Sequence, residues 1–141
     1  MLFLASDHAG YRLKEFIRQK LTERGVSFED FGSFSADSVD YPGYAKKLTE
    51  AVIKNNGKGV LFCGSGQGMA IAANRHKNAR AAVAWNADVA REAREDNDAN
   101  ILSVPARFID NETAWEMVLT FLSTTFPREE RHVRRIKQID D

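Results

Sequence analysis

Two periods alternate along this chain, one close to two residues and one close to four. Leu2 to Ala5 is a short apolar run closed by Ser6-Asp7-His8-Ala9-Gly10, the pattern of a buried strand running into a turn. Leu13, Phe16, Ile17 and Leu21 then recur at helical spacing among Arg12, Lys14, Glu15 and Arg18, with Gly25 as the stop. Val26 to Phe31 alternates and predicts a second strand ended by Gly32, followed by a polar loop from Ser33 to Asp40. Asp40 and Tyr41-Pro42 open a helix marked by Tyr44, Ala45, Leu48, Ala51 and Val52. Gly59 to Cys63 predicts a buried strand that ends abruptly in Gly64-Ser65-Gly66-Gln67-Gly68, with a helix over Met69 to Asn74. Ala81 to Trp85 and Asn100 to Val104 predict the fourth and fifth strands, the latter stopped by Pro105, with a helix over Asp88 to Glu95 between them. Trp115, Val118, Leu119 and Leu122 make a further helix stripe, and a basic segment from Arg128 to Lys137 predicts a last helix.

Short apolar strands alternating with amphipathic helices call for an α/β fold, a parallel sheet covered by helices on both faces. In such sheets ligands bind beyond the carboxyl ends of the strands. No repeat, low-complexity tract or linker divides the chain, so residues 1–141 are expected to form one domain.

Composition narrows the class without naming a chemistry. With 43% hydrophobic and 28% charged residues the chain is globular in character. Twenty Lys+Arg against twenty Asp+Glu removes the simplest case for nucleic-acid binding, although cations can still gather locally around an anion. One cysteine closes no internal disulfide, which points to a reducing, cytoplasmic setting. The apolar stretch at Met1 to Ala5 is too short for a signal peptide or a membrane anchor.

The sharpest candidate for chemistry is Cys63-Gly64-Ser65-Gly66-Gln67-Gly68. Three alternating glycines let backbone approach a ligand closely, and their N–H groups can face an anion at a helix amino terminus. The spacing is neither a dinucleotide fingerprint nor a Walker loop, and Met69 stands where a phosphatase loop needs arginine. A thiol beside helix N–H groups lies where a thiolate is favoured, yet a tight turn around a buried structural cysteine fits the same pattern. Asp7-His8, after the first strand, offers either acid–base groups or a helix cap and a surface histidine. Asp96-Asn97-Asp98-Ala99-Asn100 reads equally as a polar loop that ends a helix. Arg131 and Arg135 share a helical face with His132 nearby, an arrangement suited to a phosphate or to a solvated helix. Arg107 could join them or stand alone on the surface.

Taken in order, Ser6-Asp7-His8-Ala9-Gly10, Asp40-Tyr41-Pro42, Cys63-Gly64-Ser65-Gly66 with Ala72-Ala73-Asn74, Asn97-Asp98-Ala99-Asn100, and Arg131-His132 with Arg135 resemble ribose-5-phosphate isomerase B. That group includes allose- and galactose-6-phosphate isomerases, and the resemblance covers nearly the whole chain. It implies a Rossmann-like α/β/α three-layer sandwich with a five-stranded parallel sheet. It also implies an aldose–ketose isomerase without metal or cofactor, working as a homodimer or dimer of dimers with its active site between subunits. By position, Cys63 would be the base between C1 and C2, and Ser65 would help move the proton between the two oxygens. The amides of Gly64, Gly66 and Gly68 would face the enediolate oxygen. Asp7 would bind the sugar near the reacting end, while His8, Arg131 and Arg135 would hold the phosphate. Tyr41, Asn97, Arg107 and His132 match further substrate-binding positions, some of them supplied by the neighbouring subunit.

A second branch of the family carries a glutamate base one turn into the helix, where Met69 stands here, so this chain resembles the cysteine users. One departure matters. The residue before Asn97 is usually a histidine assigned to opening the sugar ring, and here it is Asp96. A buried carboxylic acid can exchange that proton, His8 or His132 can replace it, or the open-chain sugar is used. The departure also leaves room for a six-carbon aldose phosphate as substrate, or for a phosphosugar-binding module without catalysis.

Overall fold

Strand side chains alternate between two faces of one sheet, and each face builds its own apolar core. The computed structural model describes residues 1–141. The elements are β1 (Leu2–Ser6), α1 (Tyr11–Glu23), β2 (Glu29–Asp30), α2 (Tyr41–Asn55), β3 (Lys58–Cys63), α3 (Gln67–Asn74), β4 (Ala81–Val83), α4 (Ala87–Asn97), β5 (Ile101–Pro105), α5 (Asn111–Ser123) and α6 (Glu130–Ile139). All strand pairings are parallel, in the order β2-β1-β3-β5-β4. Leu2, Leu4, Val60, Phe62, Leu102 and Val104 face α1, α4 and α5. Phe3, Ala5, Leu61, Cys63 and Ile101 face α2 and α3. The three-layer α/β/α sandwich with a five-stranded parallel sheet is therefore present.

The two edge strands are shorter than the residue pattern predicts. Val26 does not enter β2, because its N–H closes the end of α1 on the Leu21 carbonyl at 2.9 Å. Gly25, at φ +70, supplies the left-handed step this helix cap requires. Extended pairing instead continues past β2, where Ser6 N–H donates to the Gly32 carbonyl and Ser33 N–H to that of Ser6. Edge strand β4 stops at Val83, and Pro105 is the last residue of β5, not a stop beyond it. A proline fits that position because only the strand interior demands its missing N–H.

From β1 the chain crosses to β2 on one side and then returns to β3 on the other. The carboxyl ends of β1 and β3 thus lie side by side where the winding reverses, the place an open α/β sheet offers a ligand. α6 is a different kind of element. None of its residues is buried, and it rests on α4, with Asp140 at its carboxyl end accepting from Asn78 N–H at 2.8 Å.

Candidate active site

The turn after β1 is pressed directly onto β3. A Cβ on Gly10 would overlap the Phe62 carbonyl, so only glycine lets α1 start here. Asp7 N–H donates to that carbonyl at 3.2 Å, and its Oδ1 accepts from Gly10 N–H at 2.9 Å. Asp7 is buried by this arrangement, while His8 stands half-buried beside it. His8 Nδ1 accepts from Val39 N–H at 3.2 Å. A backbone amide can only donate, so the bond places the ring proton of the neutral imidazole on Nε2.

The turn after β3 is held open from three sides. Gly66 takes φ +78, and the buried Ser103 hydroxyl donates to its carbonyl at 2.6 Å. The Arg107 and Ala106 amides donate to the carbonyls of Gly64 and Cys63 at 3.0 and 2.8 Å. The Arg107 guanidinium lies over Gly64, where a Cβ would come within 2.9 Å of Nη1. The Tyr41 ring lies over Gly68 in the same way, 2.8 Å from where a Cβ would be. With the carbonyls so engaged, the amides of Gly64, Ser65 and Gly66 have no acceptor in the protein. They precede the amino terminus of α3, whose dipole adds to their positive potential. Ser65 Oγ accepts from Gln67 N–H at 3.3 Å, and the free, buried Cys63 thiol closes the strand immediately before them.

One cluster therefore holds Asp7, His8, Tyr41, Cys63, Gly64, Ser65, Gly66, Gly68 and Arg107. The remaining candidates lie elsewhere, away from the carboxyl ends of the strands where such sheets bind ligands. β4 and β5 are parallel, so α4 must run back between them, and its last turn reaches the amino edge of the sheet. Asp96 and Asn97 sit in that last turn. Asn100 marks the same edge, accepting from Arg80 N–H through Oδ1 at 2.8 Å just before β4. His132 and Arg135 of α6 meet them there, around a cavity of about 260 Å³ lined also by Ile136 and Ile139. His132 Nε2 lies 3.5 Å from Asp96 Oδ1 and 3.9 Å from Glu129. Arg131, one residue before, pairs with Glu129 at 3.2 Å. The Asp96 side chain is 50% exposed, so the burial that would suit it to ring opening is absent within one chain.

Two contributors escaped the residue pattern. Ser103 sits mid-strand in an apolar run, and only its register opposite Leu61 shows that it braces the glycine turn. Lys14 reads as a solvated helix position, yet it is fully buried against Asp30. No three His, Cys, Asp or Glu side chains converge to hold a metal ion. No helix is long and apolar enough to cross a membrane.

A family model described as Ribose/Galactose Isomerase matches residues 2–139. The chain belongs to the ribose/galactose isomerase family. Among its relatives, Ribose-5-P isomerase B of Listeria innocua is 38% identical over 141 residues, spanning 97% of this chain and 95% of the relative. The ribose 5-phosphate isomerase of Thermotoga maritima superposes with a TM-score of 0.96 at 48% identity, covering 99% and 96% of the two chains. Ribose-5-phosphate Isomerase B of Mycoplasma genitalium, solved with bound ribulose 5-phosphate, gives 0.92 at 35% identity, covering 98% and 92%. The α/β/α sandwich described above is thus the fold of this isomerase family, and the match runs through both residue clusters.

Proposed function

We propose that this chain is an aldose–ketose isomerase that interconverts ribose 5-phosphate and ribulose 5-phosphate through an enediolate. The observation that carries the reading is the row of unengaged amides at Gly64, Ser65 and Gly66 directly after Cys63. Moving a proton between C1 and C2 places negative charge on a substrate oxygen, and preorganised N–H donors at that point lower the barrier. One such donor contributes about 3 kcal/mol to the transition state. Cys63 takes the proton from one carbon and returns it to the other, while Ser65 relays the hydroxyl proton between O1 and O2. Asp7 and Tyr41 position the sugar, and the Nε2–H of His8 helps hold the phosphate. The phosphate is remote from the reacting carbons, so its binding energy aligns them.

The amino-edge cluster completes this site in a second copy of the chain. Asn97, His132, Arg131 and Arg135 of one subunit meet the phosphate and ring end of a sugar held by Cys63 of the other. Exposed Ile71 on α3, Trp85 after β4 and Phe108 after β5 supply apolar surface for such a pairing. Solvent deuterium entering C2 of ribose 5-phosphate, followed by NMR, tests the reading. Exchange together with ribulose 5-phosphate formation is expected; binding without exchange would instead mark a phosphosugar-binding module. An enzyme that exchanged only six-carbon aldose phosphates would move the substrate and keep the chemistry.

A further inference from the structure

The most deeply buried charge in the molecule lies outside the cluster just described. Lys14, in the first turn of α1, is completely buried. All three of its ammonium protons are used, on Asp30 Oδ1 at 2.7 Å, Asp30 Oδ2 at 2.9 Å and the Ser33 carbonyl at 2.7 Å. The rings of Tyr11 and Phe34 flank the ammonium at 5.7 and 5.2 Å. Asp30 is equally committed, accepting from Gly32 N–H at 2.8 Å and lying 3.2 Å from Arg18 Nε. Burying such a pair is an inefficient way to gain stability, since apolar side chains of the same volume do as well. What the pair supplies is direction.

That direction leads to His8. Ser33 begins a segment whose other end is Val39, the residue whose N–H holds His8 Nδ1. The turn that carries Asp7 and His8 is itself fastened between Ser6, paired with Gly32 and Ser33, and the helix turn that carries Lys14. We propose that the buried Lys14–Asp30 pair is a positioning device: it fixes the path of residues 33–39, and through Val39 it holds the His8 imidazole with its Nε2–H presented to the substrate. The effect on KM rests on the reading of His8 as a substrate-binding residue; the effect on the imidazole does not.

The experiment uses the full chain labelled with ¹⁵N histidine. The double variant Lys14→Met with Asp30→Leu removes both charges together, so neither is stranded in the interior. In the folded double variant the Nδ1 shift of neutral His8 is expected to lose the signature of a nitrogen that accepts a hydrogen bond and to move to the value of a free imidazole. The KM for ribose 5-phosphate is expected to rise about tenfold with kcat within about twofold, because only positioning is lost. Val39→Pro, which deletes the N–H from the loop, is expected to give the same two changes. A folded double variant with unchanged His8 shifts overturns the proposal, whatever its activity. Should the double variant fail to fold, Asp30→Asn takes its place, with a partial loss of the signature expected and unchanged shifts overturning the proposal. If the wild-type chain shows no isomerase activity, the functional reading fails while the imidazole shifts still decide this one.

Discussion

Cys63 and Asp96 stand at opposite edges of one sheet, the first at the carboxyl end of β3 and the second where α4 has returned to the amino edge. No rearrangement of a single parallel sheet brings these edges together. If both serve one reaction, two chains must share each site, and two defective variants should repair one another. Cys63→Ala and Arg135→Ala are each expected to be inactive alone. In an equal mixture allowed to exchange subunits, half the dimers carry one intact site, so activity should return to about a quarter of wild type. Activity that stays at the level of the separate variants would place the whole site within one chain.

Cys63→Ala should also separate binding from chemistry. The substitution leaves the amides of Gly64, Ser65 and Gly66 in place, so ribose 5-phosphate should still bind with an affinity within about tenfold of wild type while turnover disappears. Calorimetry on the variant reads the first quantity and a coupled assay the second. Retained turnover would remove the cysteine from the base position.

Two glycine substitutions should fail in different ways. Gly10→Ala drives a methyl group into the Phe62 carbonyl, which is backbone and cannot turn aside, so the fold should lose about 3 kcal/mol or more in a denaturant titration. At Gly68 the obstacle is the Tyr41 ring, which is 39% exposed and free to swing outward. Gly68→Ala should therefore melt within a few degrees of wild type and show its defect as a raised KM.

Asp96 can be examined by choosing the substrate. Ribulose 5-phosphate has no free hydroxyl with which to close a five-membered ring, whereas ribose 5-phosphate is mostly cyclic. If Asp96 acts in ring opening through its contact with His132, Asp96→Asn should slow ribose 5-phosphate turnover at least about tenfold. Proton exchange at C1 of ribulose 5-phosphate should be spared. Equal rates for wild type, Asp96→Asn and Asp96→His on ribose 5-phosphate would leave Asp96 without that role.

Asp110 caps α5, accepting from Thr113 N–H at 2.7 Å, and this bond holds its carboxyl below the usual value of 3.8. A folded-state pKa lower than the unfolded one adds stability that is complete above the unfolded value and fades as pH falls through the folded one. Asp110→Ala should accordingly lower the melting temperature at neutral pH, and the difference should shrink below pH 3.8. A difference independent of pH would mean that the cap acts without its charge.

Much of this molecule is legible in its residue order, for reasons that can be named. Strands buried on both faces leave apolar runs such as Val60 to Phe62, and helices covering one face leave stripes such as Leu13, Ile17 and Leu21. The turn from Cys63 to Gly68 stands out because glycine recurs at 64, 66 and 68, and Gly66 at φ +78 takes a left-handed step that favours glycine. Edge strands are harder to read. Val26 has the composition of a strand, but its N–H closes a helix, a choice made by Gly25 and not by Val26. Lys14 is harder still, since nothing in its neighbours announces that Asp30, sixteen residues away, waits in the interior. Asp96 and Asn97 lie at the amino edge because α4 must return before β5 in a parallel sheet, so their separation from Cys63 is legible as soon as the strands are taken as parallel.

α6 carries both arginines of the proposed phosphate site and buries none of its own residues. A helix of ten residues has little stability alone, so its order is borrowed from whatever lies against it. In the shared-site arrangement that support includes a neighbour and a bound anion. Dilution would then blunt this enzyme long before it unfolds: the sheet would persist intact while the grip on phosphate loosened, and subunit concentration would act as a control on substrate affinity.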